Sequence, residues 1–467
     1  MSTTTTVADA ARQELRSFDG ELIGPADAGY EGARAVFNAM IDRRPGLIAR
    51  CASAEAVADA IAFARRHELP LAVRGGGHNG GGLGTCDDGV VVDLSPLDAI
   101  AVDPAARTVT VGGGATWGRV DAATHEHGLA VPSGIISTTG VGGLTLGGGI
   151  GHLSRRFGLT VDSLLAADVV LADGTRVRAD ADEHPDLLWA LRGGGGNFGV
   201  VTSFRFRAHP VSTVIAGPTF WPIEQAEEVM RWYRGFLPAQ PRELNGFLAL
   251  MTIPPAEFLP AELHLRRVCA VIWCYAGDDE AAATELLEPA TAVGTPLLHH
   301  PAPVPLPALQ SLFDPVYPPG HQWYWRADFV RELPDAAIAR HVEHAERLPT
   351  PQSTMHLYPI DGAVHDVGPA ETAFAHRGVT WAEVIVGVDP DPANAALVRD
   401  WTVAYWEATH PHSADGSAYV NFMMDEGEAR VRASYGDNYA RLARVKRAYD
   451  PDNALRVNQN IRPAERF

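Results

Sequence analysis

Along the first two hundred residues, apolar and polar positions alternate in short blocks whose period switches between that of a strand and that of a helix. Leu69-Pro70-Leu71-Ala72-Val73, Gly89-Val90-Val91-Val92-Asp93-Leu94 and Arg107-Thr108-Val109-Thr110-Val111 read as strands. Ser53, with Glu55 in the following turn and Val57, Ile61 and Ala64 on one face, predicts a helix that closes near His67. Another helix is predicted over 117–127, and a short one over 186–191. Two strand patterns around Asp173-Gly174 signal a hairpin. Such alternation argues for α/β or α+β packing.

Beyond about His209 the texture changes. From Val211 to about Ser413 the chain carries aromatic-rich strand patterns, Gly246 to Met251 and Val268 to Tyr275, then helical segments with acidic faces over 279–287 and 335–348. A proline-rich link runs from Pro301 to Pro307. Strands followed by helices suggest an antiparallel sheet with helices on one side. In the last fifty residues, Tyr419-Val420-Asn421-Phe422 reads as a short strand, and residues 434–449 as a helix with Leu442 and Val445 inward, stopped by Asp450-Pro451. The tail through Asn458-Gln459-Asn460-Ile461 is expected to dock.

Composition narrows the function. The chain has 467 residues, 46% of them hydrophobic, so two domains are the default. A formal net charge of -19 without basic runs argues against nucleic-acid or anionic-membrane partners. Lys446 is the only lysine, which reads as coding bias. Met1 to Ala11 lacks the regions of a signal peptide and no apolar run reaches membrane-spanning length, so a cytoplasmic protein is expected. Cys51, Cys86, Cys269 and Cys274 show neither disulfide nor zinc spacing. His125-Glu126-His127 and His299-His300 lack the spacing of metal ligands, so no metal is expected.

The chemistry concentrates in three glycine clusters: residues 74–82, which hold His78 between two runs of three glycines; 140–151; and 193–199. The first joins strand to strand, unlike a dinucleotide fingerprint, and lacks the Gly-Lys-Ser/Thr of a P-loop. Residues 132–151 are a poor helix and a poor strand by propensity and read as backbone laid against a ligand. Together the clusters imply a large ligand wrapped by main chain.

The Arg-Gly-Gly-Gly-His turn, the Gly140 to Gly151 stretch, Gly194 to Gly199, Tyr419-Val420-Asn421 and Asp450-Pro451-Asp452-Asn453 resemble, in order, the berberine-bridge-enzyme-like branch of FAD-linked oxidases within the vanillyl-alcohol-oxidase superfamily, of the bacterial secondary-metabolism type. The resemblance implies an α+β fold: a split PCMH-type FAD-binding domain from residues 1–210 and 414–467, with an inserted substrate domain over 211–413. It implies FAD bound covalently through His78, a competent nucleophile toward the flavin 8α-methyl carbon. Around it would lie Arg74, Gly75, Gly76, Gly77, Asn79, Gly80, Thr138, Thr139, Gly140, Gly142, Gly143, Gly147, Gly148, Gly149, Gly196, Asn197, Gly199, Val200, Tyr419 and Asn421.

Two departures from the family pattern matter. Ile136 stands where many relatives carry a second linking cysteine, so a single covalent bond is implied. Phe422 replaces the second tyrosine of a Tyr-x-Asn-Tyr motif, and a phenylalanine cannot accept a proton. His356, in Met355-His356-Leu357-Tyr358, is the replacement base expected near neutral pH, with Tyr324 as a further candidate. Thr139 falls where relatives set oxygen access, and Asn421 completes the catalytic set. The expected activity is an oxidase acting on a small organic, alcohol or ring-bearing substrate with O2 as acceptor, in a monomer or homodimer. The alternatives are an oxygenase that inserts oxygen into an activated polyketide-like carbon, and a non-catalytic flavin-binding protein.

Overall fold

Ser53 caps the helix Ala54–Arg66 as its spacing predicts, its hydroxyl accepting from the Ala56 N–H at 3.3 Å. The computed structural model describes residues 6–465 apart from Phe258 and Asp278. The buried face of that helix, with Val57, Ala60, Ile61 and Ala64, packs on a sheet in the order Gly20–Ile23, Leu47–Cys51, Val90–Asp93, Leu71–Arg74. Leu71–Arg74 and Val90–Asp93 run parallel with Leu71 opposite Val90, so residues 75–89 form a crossover without a helix. That loop carries His78.

A second sheet, Ile100–Asp103, Thr108–Gly112, Val200–Arg207, Leu164–Val170, Arg176–Ala179, is antiparallel throughout. The Asp173-Gly174 turn joins its last two strands, as expected.

Among the described residues, eight strands make the third sheet: Leu298–His299, Thr213–Pro222, Arg267–Tyr275, Leu244–Thr252, Thr354–Pro359, Trp381–Asp389 and Gln322–Val330 in order, with Ala302–Pro305 also on Thr213–Pro222. Its pairs are antiparallel. Alternate residues face opposite ways. Leu248, Leu250, Met355, Leu357 and Ile385 pack under the helices Ala226–Phe236, Glu280–Leu287, Asp335–Ala345 and Ala395–Thr409. Phe247, Ala249, Tyr358, Val384 and Val386 belong instead to the core shared with the second sheet. Trp221 and Trp273 are fully buried beneath the helices.

Four local expectations are corrected. Val141–Gly147 is a helix despite its glycines: Val141, Thr145 and Leu146 are buried, and Gly148, at φ +134°, ends it, so tertiary packing overrides propensity. Val420–Phe422 is a 3-10 turn rather than a strand. The predicted helix over 434–449 is two helices, Glu428–Tyr435 and Tyr439–Tyr449, because Gly436 takes φ +53° between them. The proline link forms the edge strand Ala302–Pro305 and the helix Leu306–Gln310, since an edge tolerates proline's missing N–H.

Candidate active site

The three glycine clusters and the cavity face of the third sheet enclose one cavity of about 340 Å³, within the range of small-molecule pockets. Gly76 and Gly140 meet backbone to backbone: a Cβ on Gly76 would lie 2.5 Å from the Gly140 nitrogen, so only glycine permits this approach. That contact holds the His78 loop against the N-terminus of Val141–Gly147.

His78 lines the cavity. Phe37 stacks on its imidazole with ring centroids 3.8 Å apart and planes 24° from parallel, and Thr138 Oγ1 lies 3.3 Å from Nε2. Lost solvation lowers its pKa to about 4, so the ring is neutral at pH 7. Arg74 donates through Nη2 to Asp93 Oδ2 at 2.7 Å, while Nη1, also buried, finds no partner among the described residues. Gly75, Gly77, Asn79, Thr139, Gly142, Gly143, Gly196, Gly199 and Val200 line the same space.

Asn197 also borders the cavity, but main chain takes both ends of its amide: Nδ2 donates to Gly194 and Gln459 carbonyls, and Oδ1 accepts from Ile461 N–H. It holds the wall rather than offering a free polar contact. Gly80, Thr138, Gly147, Gly148 and Gly149 stand one layer behind. Gly80 presses on the Trp325 indole, and its carbonyl accepts from Asn38 Nδ2 at 2.7 Å. Gly147 packs against the Asn421 amide. The Tyr419 hydroxyl accepts from Gly149 N–H (2.8 Å) and Asn421 Nδ2 (2.7 Å), leaving its own hydrogen to donate.

On the opposite wall, His356 is buried, with Nδ1 2.7 Å from the Tyr358 hydroxyl and Nε2 without a partner among the described residues. Burial lowers its pKa to about 3. The ring is therefore a neutral hydrogen-bonding group and a weak base, which corrects the expectation of a base poised near pH 7. Tyr324 is corrected as well. Strand alternation turns Trp323 and Trp325 into the cavity and Tyr324 away from it, where its hydroxyl accepts from Arg326 Nη2 at 3.0 Å.

Phe37, Tyr317, Leu455, Val457, Asn458 and Gln459 complete the wall without any role expected from sequence. The available signals were the alternating Trp323 and Trp325 and the amide-rich tail. Ile136 lines the cavity, whereas Cys86 Sγ points at the Pro70 and Val90 carbonyls, and all four cysteines are free and buried. Among the described residues no group of side chains could hold a metal, and no helix is long and apolar enough to cross a membrane.

A glycine-walled slot where main chain approaches closely, lined also by an arginine with one nitrogen unpaired among the described residues and by aromatic rings, fits a ligand that is both anionic and flat, as FAD is. Comparisons with known proteins agree. Residues 45–180 match the model of an FAD binding domain, and residues 418–462 match that of berberine and berberine-like proteins. An FAD-linked oxidoreductase of Dictyostelium discoideum is 31% identical over 433 residues, 92% of this chain and 91% of its own. The (R)-6-hydroxynicotine oxidase of Paenarthrobacter nicotinovorans is 30% identical over 464 residues, 96% and 97% of the two chains. The solved xylooligosaccharide oxidase of Myceliophthora thermophila shares the fold, with a TM-score of 0.83 at 24% identity over 98% of this chain and all of that one. The chain is an FAD-dependent enzyme with the α+β, PCMH-type architecture, and it belongs to the berberine-bridge-enzyme-like family of FAD-linked oxidoreductases.

Proposed function

We propose that the protein is an oxidase that carries FAD covalently on His78, oxidises a small organic alcohol or ring-bearing molecule, and returns the electrons to O2. The observation that carries this reading is His78 itself: a neutral imidazole in the cavity wall, fixed between Phe37 and Thr138. Bound FAD supplies the two-electron acceptor and the reaction with O2. The division of labour we infer puts the cofactor in residues 1–210 and 414–467, with 211–413 covering it. Arg74 Nη1, the backbone of the glycine clusters and the 455–459 segment would hold the cofactor, and the Tyr419 hydroxyl would donate to it or to the substrate.

Substrate would lie between His78 and the third sheet. There the His356 imidazole, hydrogen-bonded through Nδ1 to Tyr358, would hold its hydroxyl. Ile136 cannot form a second link, and the short side chain of Thr139 leaves room for O2. The hydroxynicotine oxidase relative supports a ring-bearing organic substrate.

The test is acid precipitation of purified protein followed by mass spectrometry of the His78 peptide, with hydrogen peroxide measured during turnover of candidate alcohols. FAD mass on that peptide alone, with peroxide formed, supports the reading; flavin wholly in the supernatant sinks the covalent link. Phe422 in place of a tyrosine, together with the depressed His356 pKa, leaves the cavity without a strong base and favours one second reading, an oxygenase. Heavy-isotope O2 incorporated into product would select it.

A further inference from the structure

Thr138 reaches His78 from a turn that has little hold on itself. The Thr139 N–H donates to the Ile136 carbonyl at 3.2 Å, which leaves Ser137 and Thr138 at the two corners. Thr138, whose Oγ1 lies 3.3 Å from His78 Nε2, makes no main-chain hydrogen bond among the described residues. Its neighbours therefore set its place. The carbonyls of Ser137 and Thr139 accept from the N–H groups of Gly118 (2.8 Å) and Trp117 (2.9 Å), which open the helix Trp117–His125. Ser137 also packs on Gly118, where a Cβ would lie 2.9 Å from its Cβ and Oγ.

The N–H and hydroxyl of Ser137 are held from the other side, by a residue 177 positions further along the chain. Asp314 accepts from the Ser137 N–H through Oδ1 at 3.0 Å and from the Ser137 hydroxyl through Oδ2. Both carboxylate oxygens are spent on one residue, and among the described residues no cation pairs with Asp314. Hydrogen bonds to an ionised acceptor are about twice as strong as neutral ones. Two of them, to the main chain and the side chain of the same residue, fix its backbone direction and its rotamer together.

Asp314 belongs to the segment that follows the edge strand Ala302–Pro305. Just before it, buried Gln310 donates through Nε2 to Ser133 Oγ and to the Gly134 carbonyl, the latter at 2.8 Å. Just after it, Tyr317 enters the cavity wall. Side chains of this one segment thus fix residues 133–137 against the third sheet.

We propose that Asp314 is a positioning residue for covalent attachment of FAD: by fixing Ser137 it places the Thr138 hydroxyl on His78 Nε2 and so sets the rotation of the imidazole. The proposal rests on the covalent link. In that attachment a His78 nitrogen bonds to the 8α carbon, the imidazole N–H and one methyl C–H bond break, the two protons and two electrons pass to the flavin, and O2 removes them as hydrogen peroxide. Asp314 acts only through Ser137 and Thr138.

The test incubates flavin-free protein, purified from riboflavin-starved cells, with saturating FAD in air. Intact mass follows the covalent bond over time, and quenching of flavin emission measures total binding. Asp314→Ala should slow bond formation by at least about tenfold, since a misplaced reacting group loses one to two powers of ten, and leave total binding within about twofold. Asp314→Asn offers an acceptor to the N–H and an amide to the hydroxyl oxygen, so it should restore the rate to within about twofold of wild type. Ser137→Ala should also be slow, and the two alanine changes together should slow the reaction by less than the product of their separate effects. A wild-type rate in Asp314→Ala, a parallel loss of total binding, an Asn variant as slow as the Ala variant, or effects that simply multiply would each overturn the proposal. Should Asp314→Ala fail to fold, Ser137→Ala and Asp314→Asn decide the matter. Wild type that binds FAD and never links it condemns the covalent reading and this proposal with it; wild type and Asp314→Ala linking equally fast condemns this proposal alone.

Discussion

Phe37 and His78, from separate segments of the chain, lie ring on ring at 3.8 Å. The Phe37 N–H donates to the Gly77 carbonyl, and its own carbonyl accepts from Gly320 N–H. Next to it, buried Asn38 donates to the carbonyls of Gly80 and Trp323. The segment thus ties the His78 loop to the strand that carries the tryptophan wall, and it fixes the imidazole plane relative to the space where the cofactor would lie.

Replacing Phe37 with alanine should therefore lower covalent flavin loading more than it lowers flavin binding. Intact-protein mass and total flavin absorbance measure the two separately. The fold should lose about 3 kcal/mol, the low end for a buried Phe→Ala change, because one side of the ring already borders a cavity. Phe37→Tyr should keep the stack and the loading. Equal loading in wild type and Phe37→Ala would show that the ring plane does not matter.

Stability should decline on both sides of neutrality. His78, His152, His341 and His356 have pKa values lowered to about 3–4 by lost solvation, so between those values and the ordinary 6.5 the unfolded chain binds more protons, up to four against the two that the buried carboxyls retain. Stability falls as pH drops through that window. Asp121 and Glu383 are raised to about 8 by burial, so the folded chain keeps protons that the unfolded chain releases above pH ~4. That contribution is complete below the unfolded pKa and is lost as pH climbs to 8. At Asp121 burial outweighs the opposing effect of the Gln310 side chain, which lowers the pKa. Asp121→Asn is neutral at any pH, so the gain in thermal midpoint over wild type should grow from pH 5 to pH 9. A flat difference would mean that Asp121 is ionised in the folded protein.

These cases also mark where sequence stops being informative. The Ser53 cap, the Asp173-Gly174 hairpin and the glycine-flanked His78 were legible because their signals are local: a hydroxyl three residues from an N–H, a dipeptide suited to a tight turn, an absence of Cβ atoms. Val141–Gly147 was not, since its helix depends on the buried packing of Val141, Thr145 and Leu146, contacts that no propensity contains. Tyr324 was misplaced by one residue of parity. Its strand was recognisable, yet the sequence could not tell which face of Gln322–Val330 meets the cavity. Phe37 belongs to no motif at all, and its role exists only in three dimensions.

Lys446 teaches the same lesson. Coding bias accounts for the rarity of lysine but not for where the single one stands. It is fully buried, and its ammonium donates to the Asn197 carbonyl (2.7 Å), Asp450 Oδ2 (2.7 Å) and the Leu455 carbonyl (2.8 Å). Three acceptors around a compact cation join the third glycine cluster to the tail that walls the cavity, a geometry that a planar guanidinium does not reproduce. Lys446→Met leaves Asp450 buried without its counter-ion and should cost about 3–5 kcal/mol in denaturant unfolding. Lys446→Arg should restore little. Asp450→Asn placed on Lys446→Met should recover part of the loss, because it removes the stranded charge. A Lys446→Met protein as stable as wild type would mean that the pair does not hold the tail.

Gly80 offers a way to narrow the substrate space without touching any group that faces it. A Cβ there would lie 2.7 Å from Trp325 Cε3 and 2.9 Å from Cδ2, closer than packed carbons allow, and the φ of Gly80 is one that alanine adopts without strain. The displaced atoms belong to a rigid indole, so relief must come from tilting that ring, and the cavity is the open side. Gly80→Ala should cost about 1–3 kcal/mol of stability through overpacking. KM for a ring-bearing substrate should rise by about tenfold, the effect of losing roughly 1.4 kcal/mol of binding. Covalent flavin loading, measured by mass, should stay near wild type, because the Phe37 and Thr138 contacts to His78 do not involve Trp325. Loading and KM failing together would place Gly80 in the support of His78 rather than of the tryptophan wall.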